Sequence, residues 1–229
     1  MLSVILPTYN EGGNIVPLIR VLEGQLKRVS FEILVVDDNS PDGTAKIVKK
    51  YFRKKSKVKV FIRKSDPGLA HAIYFGLLQT KSDWVAVMDT DFNHHPKDLI
   101  TLLTKKNASD IVVGSRYVRG GGMEDKLRYV LSYLYNMLLR NILGLPTNDS
   151  LSGFFVARRQ KLLLLPLEKI FLGYGDYFIR LLYYARRHSF TIKEIPVYYE
   201  NRHWGESKSR FIPMFLSYTK TALDLLFNS

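Results

Sequence analysis

Apolar residues in this chain fall into short runs separated by stretches of helical periodicity. Runs at 2–7, 31–37, 58–62, 84–88 and 110–113 are compact, rich in Val and Ile, and bounded by polar or turn residues, as buried strands are. Between them, 13–27, 43–54, 69–80 and 97–106 repeat their apolar residues at helical spacing. Regular alternation of this kind predicts βαβ units and an α/β fold with a mostly parallel central sheet flanked by helices. Pro41-Asp42-Gly43 ahead of Thr44 reads as a turn entering the second helix.

After Val113 the texture changes. Gly120-Gly121-Gly122 is the most flexible point of the sequence and is expected to be a mobile loop. Leu127 to Leu145 has a long helical pattern, and its stripe Leu127, Leu131, Leu134, Leu138 and Ile142 is expected to face the core. A strand at 153–157, a helix at 174–187 and a strand at 191–199 follow. The last segment, Phe211 to Phe227, repeats Phe211, Met214, Phe215, Tyr218, Ala222, Leu225 and Leu226 at roughly helical spacing, an apolar stripe suited to a membrane surface.

Composition narrows the chemistry. The absence of cysteine removes disulfides, thiolate metal sites and cysteine nucleophiles together. No apolar stretch reaches the about 18 residues that a spanning helix needs, and the N-terminus lacks a signal-peptide pattern, so a soluble or peripheral protein is expected. The net charge of +13 is uneven. Residues 1–113 hold 17 Lys/Arg against 12 Asp/Glu, and residues 114–229 hold 17 against 9. The larger surplus in the second half points to an anionic partner there, a phosphate or an acidic membrane surface.

The candidate chemistry sits where strands end. Ile33-Leu34-Val35-Val36 runs into Asp37-Asp38, and Trp84-Val85-Ala86-Val87-Met88 runs into Asp89-Thr90-Asp91. Parallel-strand ends are where open α/β sheets bind ligands. Asp37-Asp38 suits hydrogen bonds from a base or ribose, or alternatively a capped turn. An Asp-x-Asp step offers oxygens to a hard cation that neutralises a diphosphate, which fits Mg²⁺ or Mn²⁺. His94-His95 is a poor zinc site, because adjacent residues rarely place two imidazoles on one metal. Arg116 leaves the fifth strand with a fork suited to phosphate. The loop from Arg202 to Lys208 is expected to close over a diphosphate. Asn148-Asp149 and Gly175-Asp176 are acidic candidates or helix caps. These two acidic strand ends, with the polar Thr8-Tyr9-Asn10-Glu11 that closes the first apolar run, together point to a nucleotide-sugar transferase.

Four motifs carry a more specific likeness. Val4-Ile5-Leu6-Pro7-Thr8-Tyr9-Asn10-Glu11, Val35 to Thr44, Asp89-Thr90-Asp91 and Gly114-Ser115-Arg116-Tyr117 resemble family 2 glycosyltransferases of the GT-A fold, and among them the polyprenyl-phosphate hexosyltransferases. Leu151-Ser152-Gly153-Phe154-Phe155 and Gly205-Glu206-Ser207-Lys208 resemble two later motifs of that group. The resemblance implies that Pro7, Tyr9, Asn10, Glu11, Val36 and Asp38 surround a guanine nucleoside. Asp89, Thr90 and Asp91 would meet the diphosphate, with Asp89, Asp91 and Asn93 on the metal and Arg116, Arg202 and Lys208 on phosphates. Asp91, Arg116 and Asp149 would serve catalysis, Asp149 by orienting the acceptor. Asn93 and Phe155 depart from the group, which often has Gln and Arg there.

The expected activity is metal-dependent, inverting transfer of mannose from GDP-mannose to dolichyl or polyprenyl phosphate at the cytoplasmic face of a membrane. Residues 1–209 would form the catalytic domain and 210–229 a membrane-associating helix, with room for a membrane-anchoring partner subunit. Two alternatives stay open: a GT-A enzyme using UDP-glucose with a glycan or protein acceptor, and a non-catalytic basic protein that binds nucleic acid. The second lacks any nucleic-acid motif, and acidic strand ends repel a bare polyanion.

Overall fold

The computed structural model describes residues 1–54, 57–200 and 211–227, the last segment without the side chains of 211 and 212. The strands are β1 (Leu2–Thr8), β2 (Phe31–Asp37), β3 (Val58–Ile62), β4 (Trp84–Val87), β5 (Ile111–Ser115), β6 (Gly122–Met123), β7 (Phe155–Arg158), β8 (Ile192–Pro196) and β9 (Tyr198–Tyr199). The helices are α1 (Ile15–Gln25), α2 (Thr44–Phe52), α3 (Leu69–Gln79), α4 (Pro96–Lys105), α5 (Lys126–Leu143), α6 (Arg159–Leu162), α7 (Leu167–Ile170), α8 (Tyr177–Arg187) and α9 (Phe211–Phe227). Seven strands form one sheet in the order β3-β2-β1-β4-β7-β5-β8, and β6 pairs with β9 beside it. All neighbours in the large sheet are parallel except β7, which runs antiparallel to both β4 and β5.

Successive strand side chains point to opposite faces, so each apolar strand feeds two cores. Leu2, Val4 and Leu6 pack with Ile33 and Val35 under α1, α2 and α4. Ile5 and Val36 pack on the other face with Ile73 of α3 and Phe178 of α8. The predicted alternation in the first half is therefore real, and the end of every strand from β1 to β5 reaches one edge of the sheet.

The second half corrects several expectations. The strand expected at 191–199 is two strands interrupted at buried Val197. The glycine run is not a loose loop. Gly122 pairs with Tyr198 in the small sheet, and a Cβ on Gly121 would lie 2.6 Å from the Ser115 carbonyl oxygen and 2.7 Å from that of Arg116. These glycines permit backbone-to-backbone approach, which periodicity cannot distinguish from mobility. Gly121→Ala is expected to cost about 1–3 kcal/mol, read as a lower urea midpoint, because neither contacting carbonyl can move as a side chain would. An unchanged midpoint would show that this crossing is not tight.

The α5 stripe is also turned the other way. Leu127, Val130, Leu131, Leu134, Leu138 and Ile142 are exposed, and α5 buries Asn136, Leu139 and Leu143 instead. Both faces of this helix are apolar, so the pattern alone could not say which one meets the core. In α9, half of the expected stripe faces inward: Tyr218, Ala222 and Leu225 belong to the core. Thr221 Oγ1 donates to Asp176 Oδ2 at 2.9 Å, and Arg180 donates to the same oxygen at 2.5 Å. Asp176 therefore anchors α9 rather than capping α8. Phe215, Leu216, Leu223, Leu226 and Phe227 remain exposed.

Candidate functional site

A cleft of about 620 Å³ opens along the strand ends. Its floor begins in the turns after β1 and β2. Asp37 is 1% exposed and organises the backbone: Oδ1 accepts the Ser40 N–H at 2.9 Å, and Oδ2 accepts the hydroxyls of Ser40 at 2.6 Å and Thr8 at 3.0 Å. Asp38 points into the cleft. Its carboxylate accepts from Arg63 Nη1 at 2.7 Å and from the Gly68 N–H at 2.7 Å, which ties the loop after β3 to the end of β2. Burial pushes the Asp38 carboxyl up from its ordinary value, against the Gly68 N–H and the Arg63 charge. Asp37 thus serves the turn, and Asp38 faces the cleft.

Pro7, Tyr9, Glu11 and Asp38 line the cleft. Val36 does not, because it is fully buried in the core, pointing away from the edge. Asn10 is not a lining residue either. It adopts a left-handed φ of 54°, and its N–H donates to Ser40 Oγ at 3.0 Å, fixing the turn.

Asp89, Thr90, Asp91 and Asn93 all line the cleft. The Asp89 side chain is 46% exposed. Asp91 is nearly buried, and its carboxylate accepts the Asn93 N–H at 3.1 Å and the Asn93 Nδ2–H at 2.9 Å. Two carboxylates and an amide carbonyl are hard oxygen donors, the set that suits Mg²⁺ or Mn²⁺. Among the described residues no three His, Cys, Asp or Glu cluster as a metal site. These protein oxygens would supply only part of a six-coordinate shell, leaving positions for other oxygen donors.

The adjacent histidines have separate structural tasks. His94 is 1% exposed, and burial holds its imidazole down to about 4, so it is neutral near pH 7. His95 Nδ1 accepts the Lys97 N–H at 3.1 Å and caps α4.

Arg116 enters from the end of β5 and lines the cleft, held by a fully buried partner. Asp149 accepts from Arg116 Nε at 2.8 Å, Nη2 at 2.7 Å and the backbone N–H at 2.9 Å. The Arg116 guanidinium also lies 4.9 Å from the Tyr199 ring centre and 5.1 Å from that of Tyr117. Burial opposes its charge, but the Asp149 carboxylate outweighs burial and pushes its pKa up. Asp149 is 0% exposed and does not line the cleft, so direct orientation of an acceptor does not fit its position. It holds Arg116 instead. Glu194 in turn accepts the N–H groups of Asn148 and Asp149, at 2.9 and 3.1 Å. Arg202 and Lys208 lie outside the described residues.

The structure adds lining residues that the motifs did not mark. Arg63 comes from the loop after β3 and Arg128 from the first turn of α5. Tyr174, Tyr177, Met214 and Tyr218 form an apolar and aromatic wall where α8 and α9 meet the cleft. Only the basic surplus of the second half hinted at Arg128. The tyrosines resemble any core aromatic in sequence.

The sequence pattern of Glycosyl transferase family 2 matches residues 3–164. A "Dolichol-phosphate mannosyltransferase" from Pyrococcus furiosus is 37% identical over 163 residues, 69% of this chain and 46% of that protein. A "Polyprenol monophosphomannose synthase" from Mycolicibacterium smegmatis is 34% identical over 217 residues, 90% of this chain and 79% of that protein. The chain thus spans less than half the length of the first relative and about four-fifths of the second. Among solved structures, a glucosyl-3-phosphoglycerate synthase from Mycobacterium tuberculosis, in complex with Mn²⁺, UDP and phosphoglyceric acid, aligns with a TM-score of 0.71. That match covers 99% of this chain and 77% of the other at 22% identity, a likeness of fold.

Proposed function

Because the chain belongs to glycosyl transferase family 2 and has the GT-A fold, we propose that it moves mannose from GDP-mannose to a polyprenyl or dolichyl phosphate. The observation that carries this reading is one cleft with two kinds of wall. Asp89, Asp91, Arg116 and Arg128 bring charge to its lining, Asn93 adds an amide, and Tyr177, Met214 and Tyr218 bring apolar surface. A phosphate with an isoprenoid tail needs both. The two mannosyltransferase relatives, by their names, support the same substrate classes.

Asp89, Asp91 and Asn93 would hold Mg²⁺ or Mn²⁺, and the Mn²⁺ in the fold neighbour supports that choice. When bound, the cation supplies charge neutralisation for the departing diphosphate. Arg116 adds a fixed positive charge that costs no reorganisation, because Asp149 already holds its fork. The acceptor phosphate is anionic at neutral pH, so no strong general base is required. Tyr9, half exposed, and Asp38 line the cleft and would meet the nucleoside.

Transfer of labelled sugar tests this directly. Purified protein with Mn²⁺ is expected to make lipid-linked mannose from GDP-mannose and a prenyl phosphate, faster than it uses UDP-glucose. Preference for UDP-glucose, or for a glycan or protein acceptor, would overturn the reading and favour the other GT-A activity.

A membrane-bound acceptor also requires a membrane-facing surface. No helix among the described residues is long and apolar enough to cross a bilayer. The exposed residues of α5 and α9 are the surface we assign to the interface, and the two helices touch through a Tyr135–Phe215 ring contact at 4.8 Å. Leu134, Leu138 and Leu223 are each about half exposed, so a triple change to Ser should leave the fold intact. Sedimentation with anionic vesicles is expected to fall about tenfold or more, since each Leu withdrawn from the acyl boundary forfeits about 1 kcal/mol. Unchanged vesicle binding would assign this surface to a partner subunit instead.

A further inference from the structure

The Asp-x-Asp turn is a strained piece of backbone. Phe92, between Asp91 and Asn93, has φ 69°, a left-handed conformation that a bulky aromatic residue rarely adopts. Such geometry persists only where surrounding contacts over-determine it. One of those contacts comes from beneath the turn. The Asp89 N–H donates to His94 Nδ1 at 2.8 Å. A ring nitrogen that accepts an amide proton carries none of its own, so the neutral imidazole keeps its proton on Nε2. Nε2 lies 2.8 Å from Tyr199 Oη and donates to it. The Tyr199 hydroxyl donates onward to the Ser152 carbonyl at 3.2 Å, and Ser152 Oγ donates to the Gly114 carbonyl at 2.5 Å. Every donor in this chain therefore points the same way, from the turn after β4 into the ends of β7 and β5. The imidazole is also clamped face to face on Phe154, with ring centres 4.7 Å apart and planes 11° apart.

We propose that His94 is the positioning residue of the Asp-x-Asp turn, its Nδ1 fixing the Asp89 backbone and its Nε2 registering that turn against Tyr199. This rests on the reading that Asp89 and Asp91 hold a divalent cation. His94 does not line the cleft; it sets the direction in which the two carboxylates are presented. Partners of this kind, one bond beyond the ligands, typically tune metal affinity about 10- to 100-fold. A histidine that only filled the core would be replaceable by any ring of similar size.

The experiment compares His94→Phe, which keeps the stacking and loses the acceptor, with His94→Asn, whose amide oxygen can reach the Nδ1 position. Mn²⁺ affinity in the presence of GDP, read from the free-Mn²⁺ paramagnetic signal, is expected to weaken about 10- to 100-fold in His94→Phe. His94→Asn is expected to recover most of that loss at a similar melting temperature. In metal-free protein, the Asp89 amide should exchange with solvent slowly in the wild type and His94→Asn, and at least about tenfold faster in His94→Phe. A folded His94→Phe protein with wild-type Mn²⁺ affinity and a slow Asp89 amide would overturn the proposal. Nitrogen-15 chemical shifts of wild-type His94 provide a variant-free check: an Nε2–H tautomer is expected, and an Nδ1–H tautomer would refute it. The two readings fail separately. Absence of Mn²⁺ binding by the wild-type protein with GDP removes the metal, whereas the wrong tautomer removes the role of His94 whatever the metal does.

Discussion

Asp149→Ala is expected to destabilise the protein by about 3–5 kcal/mol, because it leaves the Arg116 guanidinium buried without its counter-charge. Asp149 is fully buried and receives three N–H bonds from Arg116. Removing the carboxylate strands the charge, orphans a backbone N–H and opens a small void in one step. Asp149→Asn keeps the shape and part of the hydrogen bonding, so it should lose less. Replacing both partners by apolar residues, Arg116→Met with Asp149→Leu, should restore much of the stability yet leave transfer crippled. Urea unfolding of the three variants checks this, with the slope constant and only the midpoint moving. A loss below about 1 kcal/mol for Asp149→Ala would mean that water reaches Arg116 and screens it.

Asp91→Ala should behave in the opposite way, with a small effect on stability and a large one on rate. The bonds to Asn93 tie down one turn. Their loss should cost about 1 kcal/mol. Transfer, by contrast, is expected to fall on the order of 10²–10³-fold, the usual consequence of removing a fixed electrostatic group from a reacting centre. Saturating Mn²⁺ should not rescue it. Near-wild-type turnover in a folded variant would take Asp91 out of the site. Unfolding instead would make it a structural residue.

The first five strands and their intervening helices were legible because β1, β2, β4 and β5 are buried on both faces, β3 keeps an apolar run at the partly covered edge, and each helix is buried on one face. Val4, Ile5 and Leu6 serve two different cores, yet all three read as apolar. The acidic strand ends were legible for the converse reason: carboxylates that close an apolar run have little structural use unless something receives them. What was not legible depends on distance in space. Asp149 read as an acceptor-orienting residue or a helix cap, because its true partner lies 33 positions away. His94-His95 looked like a poor zinc site, and nothing local shows that the Nδ1 of His94 holds a backbone N–H. The apolar face of α5 was assigned to the interior because an exposed stripe and a buried one have the same period. Val36 was placed at the nucleoside through its neighbours in a motif, although pleating turns its side chain the other way.

The antiparallel insertion of β7 has a consequence for how the site is assembled. β4 carries Asp89 and Asp91 at its end, β5 carries Arg116, and the two strands are never neighbours. They are joined only through β7, whose residues are made some forty positions after β5 ends. A ribosome that has released everything up to α5 has supplied both halves of the catalytic edge but no means of setting their spacing. Closing that gap requires a loop of more than sixty residues between β4 and β7, an entropic cost that is met late and in one piece. Strands β1, β2 and β3 are free to pair before then. The cleft edge is thus a seam between an early-folding half and a late one, and the last strand to be wedged in sets its width.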